Sequence, residues 1–201
     1  MGAYAPAPIV TEEILQKVKR DIIRQTLLGM AKDGRPYKGC LYVGLMITET
    51  GPKVIEFNCR FGDPETQVVL PLLDEDLVRI MFEAASGKLS TTKAILKDTS
   101  SVCVVIASGG YPGNYETDKQ IFGLEAAASE KDVVVFHAGT KYNKDIIVTS
   151  GGRVLGVTAI GEQLNLERTI DKAYRAVEKI TFDGAYYRSD IGKKGVDRLK
   201  Q

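Results

Sequence analysis

The clearest structural signal in the chain is Lys53-Val54-Ile55-Glu56-Phe57-Asn58-Cys59-Arg60-Phe61, a run rich in β-branched and aromatic residues. A second run of this kind extends from Gly39 to Thr48, and Glu49-Thr50-Gly51-Pro52 lies between the two. Such runs joined by a short turn-forming segment are typical of a β-hairpin. We therefore predict two antiparallel strands over residues 39–48 and 53–61.

Helical signals flank this hairpin. Thr11, followed by two glutamates, begins a stretch through Lys32 in which apolar residues fall near helical spacing, which predicts a capped amphipathic helix. Residues Asp74 to Ala85 have an acidic start and an apolar stripe, and Gly87 follows them. This pattern predicts a second helix.

A change in composition suggests a domain boundary. Residues 87–100 are polar and weakly periodic, so we place the boundary near residue 97. Beyond it we predict strands and a final helix, at Val102 to Ser108, Val133 to Ala138, Ile146 to Thr149, Val154 to Ile160 and about Gln163 to Lys179. The predicted fold class is α+β, with one domain over 1–96 and a small α+β domain over 97–201.

The composition of the 201-residue chain limits its partners. Lys and Arg number 27 against 26 Asp and Glu, so the overall charge favours neither nucleic acid nor an anionic membrane as a partner. The apolar runs are far shorter than the roughly 20 residues that a membrane-spanning helix needs. The N-terminal residues lack the basic start and apolar run of a secretory signal, so we expect a cytoplasmic protein.

The number and spacing of the cysteine and histidine residues indicate structural roles for them. Cys40, Cys59 and Cys103 are odd in number and widely spaced, which favours buried, reduced thiols over disulfides or a zinc site. His137 is the one histidine, and its apolar surroundings favour a structural role in a strand. A metal site built from several histidines is excluded.

Polar side chains alternate along the second predicted strand. Glu56 and Asn58 should project to one face while Ile55 and Phe57 pack on the other. A carboxylate and an amide carbonyl supply the oxygen ligands that Mg²⁺ accepts, with waters and phosphates completing its shell. Arg60 continues on the same face, where a guanidinium can hold a phosphate oxygen. The motif is short, and a solvent-facing polar strand explains it about equally well.

A longer motif favours the metal site over a solvent-facing polar strand. The segment Glu56-Phe57-Asn58-Cys59-Arg60-Phe61-Gly62-Asp63-Pro64-Glu65-Thr66-Gln67 resembles the signature of the phosphoribosylamine–glycine ligases, a family of ATP-grasp enzymes. Other similar segments are Met1-Gly2-Ala3-Tyr4, Gly110-Tyr111-Pro112-Gly113, Phe136-His137-Ala138-Gly139-Thr140 and Gly151-Gly152-Arg153-Val154-Leu155. The resemblance covers essentially the whole chain. It implies that 1–96 is the C-terminal part of an ATP-grasp catalytic domain and that 97–201 is the C-terminal domain of the synthetase.

The resemblance also implies a reaction. ATP would phosphorylate the carboxylate of glycine, and the amine of 5-phosphoribosylamine would attack the resulting glycyl phosphate, giving glycinamide ribonucleotide, ADP and phosphate in purine biosynthesis. Glu56 and Asn58 would hold the Mg²⁺ or Mn²⁺ that bridges the ATP phosphates, and Arg60 would act as a catalytic residue near the transferred group. The facing positions, Val43-Gly44-Leu45-Met46, offer no further acidic ligand.

Two carboxylates beyond the strand have open roles. Asp63 and Glu65 lie in a proline-constrained loop, where they are candidates to bind the amino group of glycine or of phosphoribosylamine. The alternative is an acidic cap at a helix N-terminus. The glycine-rich segments at 109–113 and 150–153 match no nucleotide-binding pattern, so we interpret them as tight turns without chemistry.

The resemblance further implies that an N-terminal portion of the enzyme precedes this chain, so we expect little activity from the chain alone. Two alternatives stay open. One is a different ATP-grasp ligase or carboxylase with the same Glu-x-Asn-x-Arg strand, although the residues that follow Arg60 argue against it. The other is a non-catalytic binding or interaction module that retains a remnant of the ATP-grasp site.

Overall fold

The computed structural model describes residues 1–90, 93–163 and 165–200. In chain order its strands are β1 (Gly2–Ala5), β2 (Tyr42–Thr48), β3 (Gly51–Asn58), β4 (Thr99–Ser108), β5 (Val133–His137), β6 (Thr140–Asn143), β7 (Ile146–Thr149), β8 (Arg153–Glu162) and β9 (Ala185–Tyr186). Its α-helices are α1 (Glu12–Lys17), α2 (Arg24–Lys32), α3 (Thr66–Val69), α4 (Leu77–Ser86), α5 (Leu124–Ala128), α6 (Leu166–Val177) and α7 (Lys193–Leu199). Helices and antiparallel strands occur together, as the predicted α+β class requires.

The chain divides into two compact units. The first comprises Met1–Pro6, Asp63–Leu72 and Asp98–Gln201, and the second comprises Ala7–Gly62 and Leu73–Lys97. Thr91 and Thr92, in the polar segment predicted to mark a boundary, lie outside the described residues, as does Leu164 at the start of the last predicted helix.

The first unit is built on one antiparallel sheet with strand order β1-β4-β8-β5, and β9 also pairs with β4. The long central strands β4 and β8 are buried along most of their length, which explains their nearly continuous apolar sequence. Helix α6 contacts both strands. Its apolar stripe, which includes Ala173 and Val177, joins Val102, Val104 and Ile106 in a common core.

The second unit contains the β2–β3 hairpin, the helical segment α1–α2 and helix α4. A π-helical stretch, Val18–Ile23, connects α1 to α2, so the helix predicted from Thr11 to Lys32 is confirmed as one continuous helical segment. Thr11 caps it through its side chain, which accepts a hydrogen bond from the Ile14 N–H. This unit buries little apolar surface, because Val18 is its one buried hydrophobic residue among those described.

The expectation that Ile55 and Phe57 pack against a neighbouring layer is wrong for this chain. Their side chains are 63% and 43% exposed. The hairpin has only two strands, which offer little surface to cover a large side chain. In addition, a bulge between Gly44 and Leu45 leaves Ile55 without a partner in the register, so the simple alternation of faces is interrupted at this residue.

Most other predicted elements are confirmed within a few residues. The structure adds β1, β6 and β9 and the short helices α3, α5 and α7, which were not predicted. Most of the similar segment at the N-terminus, Met1-Gly2-Ala3-Tyr4, lies in strand β1. It pairs with β4 from Gly2↔Val104 to Ala5↔Ser101.

The cysteine prediction is partly wrong. All three thiols are free, and Cys103 is buried, but Cys40 is half-buried and Cys59 is exposed. Cys59 lies just beyond the end of β3, where the chain leaves the hairpin, so its apolar neighbours in sequence do not enclose it. Among the described residues, the helices are all too short or too polar to cross a membrane.

Candidate functional site

Strand β3 places the first two candidate residues side by side. Glu56 pairs with Gly44 and Asn58 pairs with Tyr42, both on the same side of the bulge. Regular pleating between these two pairs directs Glu56 and Asn58 to one face. Gly44 supplies the space that Glu56 needs, since a Cβ at position 44 would lie 3.0 Å from the Glu56 Cγ.

The three polar side chains form a chain of hydrogen bonds. The Asn58 amide donates to Glu56 Oε1 over 2.9 Å, and the Arg60 guanidinium donates to Asn58 Oδ1 over 3.2 Å. Arg60 also donates to the Phe61 carbonyl over 2.9 Å. Although β3 ends at Asn58, the side chain of Arg60 therefore returns to the same face.

The chemistry of this set suits a hard cation bound together with phosphates. A carboxylate and an amide oxygen stand next to each other, and a guanidinium stands beside them. Each oxygen keeps acceptor capacity beyond the hydrogen bond that it already accepts. Within the part of the chain that the structure describes, no cluster of three or more His, Cys, Asp or Glu forms a closed metal site. The pair Glu56 and Asn58 fits a magnesium ion that takes one or two protein ligands and fills its shell with waters and phosphates.

Asp63 belongs to the first unit, where two side chains hold its carboxylate. Gln67 Nε2 donates to Asp63 Oδ1 over 2.8 Å, and Arg153 lies 3.2 Å from Asp63 Oδ2. Glu65 occupies the position before α3, but its side chain makes no capping hydrogen bond to that helix. The acidic-cap alternative is therefore not what the structure shows for Glu65.

Sequence reasoning missed Arg153 and Gln67. Arg153 lies 90 positions beyond Asp63, and no local spacing links the two. The available signal was the Gly151-Gly152-Arg153 segment, in which a cation follows two glycines. Gln67 stands four positions after Asp63, so a local pairing of the two side chains was detectable in principle.

His137 and Lys119 offer the other candidate polar sites in the first unit. His137 is exposed at the end of β5, and its Nδ1 lies 2.9 Å from the Thr140 hydroxyl, which fits the predicted structural role. Lys119 borders a cavity of about 370 Å³. It pairs with Glu116 at 2.7 Å and with Asp183 at 3.1 Å. The hydrogen bonds that Lys119 donates to these carboxylates raise its pKa, so its charge is already matched by two anions.

Comparison with known families identifies two matching segments. Residues 1–66 match the family model described as phosphoribosylglycinamide synthetase, ATP-grasp (A) domain. Residues 101–194 match the model described as phosphoribosylglycinamide synthetase, C domain. All five candidate residues, from Glu56 to Glu65, fall within the first of these segments.

The chain is also similar to curated proteins that are named as phosphoribosylamine–glycine ligases or as a trifunctional purine biosynthetic protein. A phosphoribosylamine–glycine ligase of Chlorobaculum tepidum is 49% identical over 98% of the chain, which covers 46% of that protein. The trifunctional purine biosynthetic protein adenosine-3 of Gallus gallus is 48% identical over the whole chain, which covers 20% of that protein. The chain thus spans just under half the length of the bacterial ligase.

Solved structures agree on the fold. The phosphoribosylamine–glycine ligase of Thermotoga maritima superposes with a TM-score of 0.77 at 34% identity, over 95% of the chain and 46% of that structure. The biotin carboxylase domain of a thermophilic 2-oxoglutarate carboxylase superposes with a TM-score of 0.64 at 18% identity, over 93% of the chain and 41% of that structure. At that identity the second likeness shows the fold alone.

Proposed function

Because this chain belongs to the phosphoribosylglycinamide synthetase family and corresponds to part of the enzyme, we propose that it contributes to the active site of an ATP-dependent carbon–nitrogen ligase. The proposed reaction joins glycine to 5-phosphoribosylamine through glycyl phosphate, with release of ADP and phosphate. We also propose that residues 1–96 complete the ATP-grasp catalytic domain and that 97–201 form the C-terminal domain. The proposed substrates are small water-soluble metabolites, which fits a cytoplasmic enzyme.

The observation that carries this proposal is the hydrogen-bonded set of Glu56, Asn58 and Arg60 within the segment that matches the ATP-grasp domain. Carboxylate activation by ATP needs no protein nucleophile, because ATP itself supplies the leaving group. What the protein must supply is charge neutralisation and alignment of the phosphates. A carboxylate, an amide oxygen and a guanidinium on one strand face meet that requirement.

Glu56 and Asn58 would hold Mg²⁺ or Mn²⁺, which would neutralise phosphate charge on ATP. Arg60 can donate two parallel hydrogen bonds to phosphate oxygens, a geometry that lysine cannot reproduce. Its hydrogen bond to Asn58 already restricts the guanidinium. Arg60 would therefore meet the transferred phosphoryl group with little loss of side-chain freedom.

Asp63 would bind the amino group of glycine or of phosphoribosylamine. Two of its acceptor sites are occupied, one by Gln67 and one by Arg153, and a carboxylate offers about four. The side chain is 44% exposed, so a small amine can reach the remaining sites. Glu65 is a second candidate for the same substrate group, because it follows Asp63 closely in the chain.

The second unit exposes apolar side chains that a further protein partner would cover. Helix α4 exposes Val78, Met81 and Phe82, which lie at helical spacing on one face, and β3 exposes Ile55. An exposed apolar helix face of this kind marks a protein interaction site. We propose that it is covered by polypeptide equivalent to the part of the ligases that this chain does not match.

A different ATP-grasp enzyme is the weaker candidate, since the carboxylase domain is only 18% identical whereas the named ligases reach 49%. A non-catalytic module remains the alternative from another class, and nucleotide binding separates it from the enzyme. At one hundred times its dissociation constant, magnesium-ATP should raise the free energy of unfolding of the chain by about 2.7 kcal/mol. Thermal unfolding with and without magnesium-ATP measures this gain.

The variant Glu56→Gln should lose the gain, because it removes a negative charge from the cation site without changing the size of the side chain. Glu49→Gln is the matched control, since Glu49 is exposed in the turn of the same hairpin and should keep the full gain. If magnesium-ATP leaves the unfolding temperature of the wild-type chain unchanged, this result would support the non-catalytic module instead.

A further inference from the structure

The glycine-rich segments at 109–113 and 150–153 were assigned no chemistry from sequence. In the structure, the second segment ends at a charged residue, Arg153, whose backbone carbonyl accepts a hydrogen bond from the Gly139 N–H. Its guanidinium Nη1 donates to the Asp63 carbonyl over 3.1 Å and lies 3.2 Å from Asp63 Oδ2. One nitrogen therefore contacts both the backbone and the carboxylate of a candidate substrate-binding residue.

Hydrogen bonds from Gly139 and Ser108 hold the backbone at Arg153 and at the two glycines before it. The Gly139 N–H donates to the Arg153 carbonyl over 2.8 Å, and the Ser150 N–H donates to the Gly139 carbonyl over 2.7 Å. Ser108, at the end of β4, donates from its N–H to the Gly152 carbonyl over 2.8 Å. Its hydroxyl donates to the Gly151 carbonyl over 2.9 Å. Arg153 thus begins β8 from a fixed backbone position.

The glycines are needed for this close packing. A Cβ at Gly139 would stand 2.5 Å from the Arg153 carbonyl oxygen and 2.7 Å from the Gly151 Cα. A Cβ at Gly152 would overlap the ring of Tyr111. Backbone atoms at the first of these positions cannot move aside cheaply, so only glycine allows the two segments to approach each other. The turns therefore define where the Arg153 side chain starts.

Gln67 holds the other oxygen of the same carboxylate. Its Nε2 donates to Asp63 Oδ1 over 2.8 Å, while its own Oε1 is buried without a hydrogen-bond partner among the described residues. A buried amide oxygen left without a partner costs free energy. The orientation of Gln67 therefore favours the bond to Asp63 at the expense of its own acceptor. Each Asp63 oxygen is thus contacted by a different side chain.

We propose that Arg153 is a positioning residue that fixes the Asp63 carboxylate for the amine substrate, with the segments 109–113, 137–140 and 150–153 as its support. The proposal rests on the proposed function, and it adds a residue and a role for those segments. Arg153 acts through Asp63 and not by its own contact with the substrate. The fixed carboxylate presents its remaining lone pairs in one direction, which lowers the ordering cost of binding a small amine.

The first test needs no turnover and uses the chain as it is. Arg153→Gln should raise the amide hydrogen-exchange rates of Asp63 and of residues 65–69 about fivefold or more, because local opening of that segment becomes easier. Arg153→Lys should give a smaller increase, since an ammonium keeps the charge but not the planar fork. Arg198→Gln is the control, because Arg198 is exposed in α7. Unchanged exchange in Arg153→Gln would overturn the proposal.

The second test measures turnover of the chain combined with the N-terminal part of a bacterial ligase. Arg153→Gln should raise the KM for one amine substrate about tenfold, as expected for losing charge-assisted hydrogen bonds, and should leave the KM for ATP within twofold. In an Asp63→Asn background, the same substitution should have little further effect, since the two residues act as one unit.

The double variant separates positioning from direct binding. If the effects of Arg153→Gln and Asp63→Asn on KM simply multiply, Arg153 contacts substrate itself and the proposal is wrong. A normal KM in Asp63→Asn would overturn it as well. Absence of turnover in the wild-type mixture would instead count against the proposed function, and hydrogen exchange would still decide whether Arg153 fixes the loop.

Discussion

Cys103 lies in the middle of β4 with a fully buried side chain. Burial raises the pKa of its thiol to about 11, because the thiolate would lose its hydration. In the unfolded chain the thiol titrates near its ordinary value of 9.0. The folded state therefore keeps its proton at pH values where the unfolded state has lost it.

The sign of the pH effect follows from this difference. The contribution of Cys103 to stability is complete below about pH 9 and is lost as the pH rises towards about 11, by roughly 2–3 kcal/mol in total. Cys103→Ala should remove this part of the alkaline decline. Denaturant unfolding at pH 8, 9, 10 and 11 measures it, and an equally steep decline in the variant would contradict the assigned cause.

At the residue scale, the sequence predicted the features that depend on residues close together in the chain. Glu56 and Asn58 lie two residues apart on β3, so their shared face was predictable from pleating alone. Arg60 lies beyond the end of β3 and reaches this face through its side-chain hydrogen bond to Asn58. The partner of Asp63 was not predictable, because Arg153 reaches it through sheet topology. The exposure of Cys59 was also missed, since composition does not reveal where a strand ends.

Helix α4 shows what local sequence determines at the scale of one element. Asp76 accepts a hydrogen bond from the Arg79 N–H and so caps the first turn. Gly87 ends the helix in the left-handed conformation with a φ of 69°. Both signals are short-range, which explains why this helix was predicted within three residues of its observed bounds.

Removal of the cap should be measurable. Asp76→Ala should destabilise the second unit by about 1 kcal/mol, because one helix-terminal N–H loses its acceptor. Asp74→Ala is the matched control, since Asp74 is exposed two residues earlier and lies outside the helix. Urea unfolding followed by helical circular dichroism compares them. Equal midpoints for the two variants would show that the cap contributes nothing.

Strands β1 and β9 show what local sequence does not determine. β1 has four residues and β9 has two, and each exists because it pairs with β4. Segments this short have no recognisable period, so only the tertiary pairing identifies them. The bulge opposite Gly44 belongs to the same class of feature, since it appears only when two strands are aligned.

At the scale of the whole molecule, the two units differ in how they are stabilised. The first unit has a continuous buried core between its sheet and helix α6. The second leaves large apolar side chains such as Phe82 exposed and buries few of them. Sequence analysis could not show this difference, because the apolar periodicity of α4 is the same whether or not another chain covers it.

We propose that Glu56 takes part in the ligation of glycine to phosphoribosylamine. This role is tested most directly by measuring ADP release from the chain combined with the N-terminal part of a bacterial ligase, magnesium-ATP, glycine and freshly generated phosphoribosylamine. We predict ADP formation that requires both substrates and both polypeptides, that is lost in Glu56→Gln and that is retained in Glu49→Gln. The role assigned to Glu56 would be contradicted if the two polypeptides associate but release no ADP. It would also be contradicted if Glu56→Gln releases as much ADP as the wild-type chain.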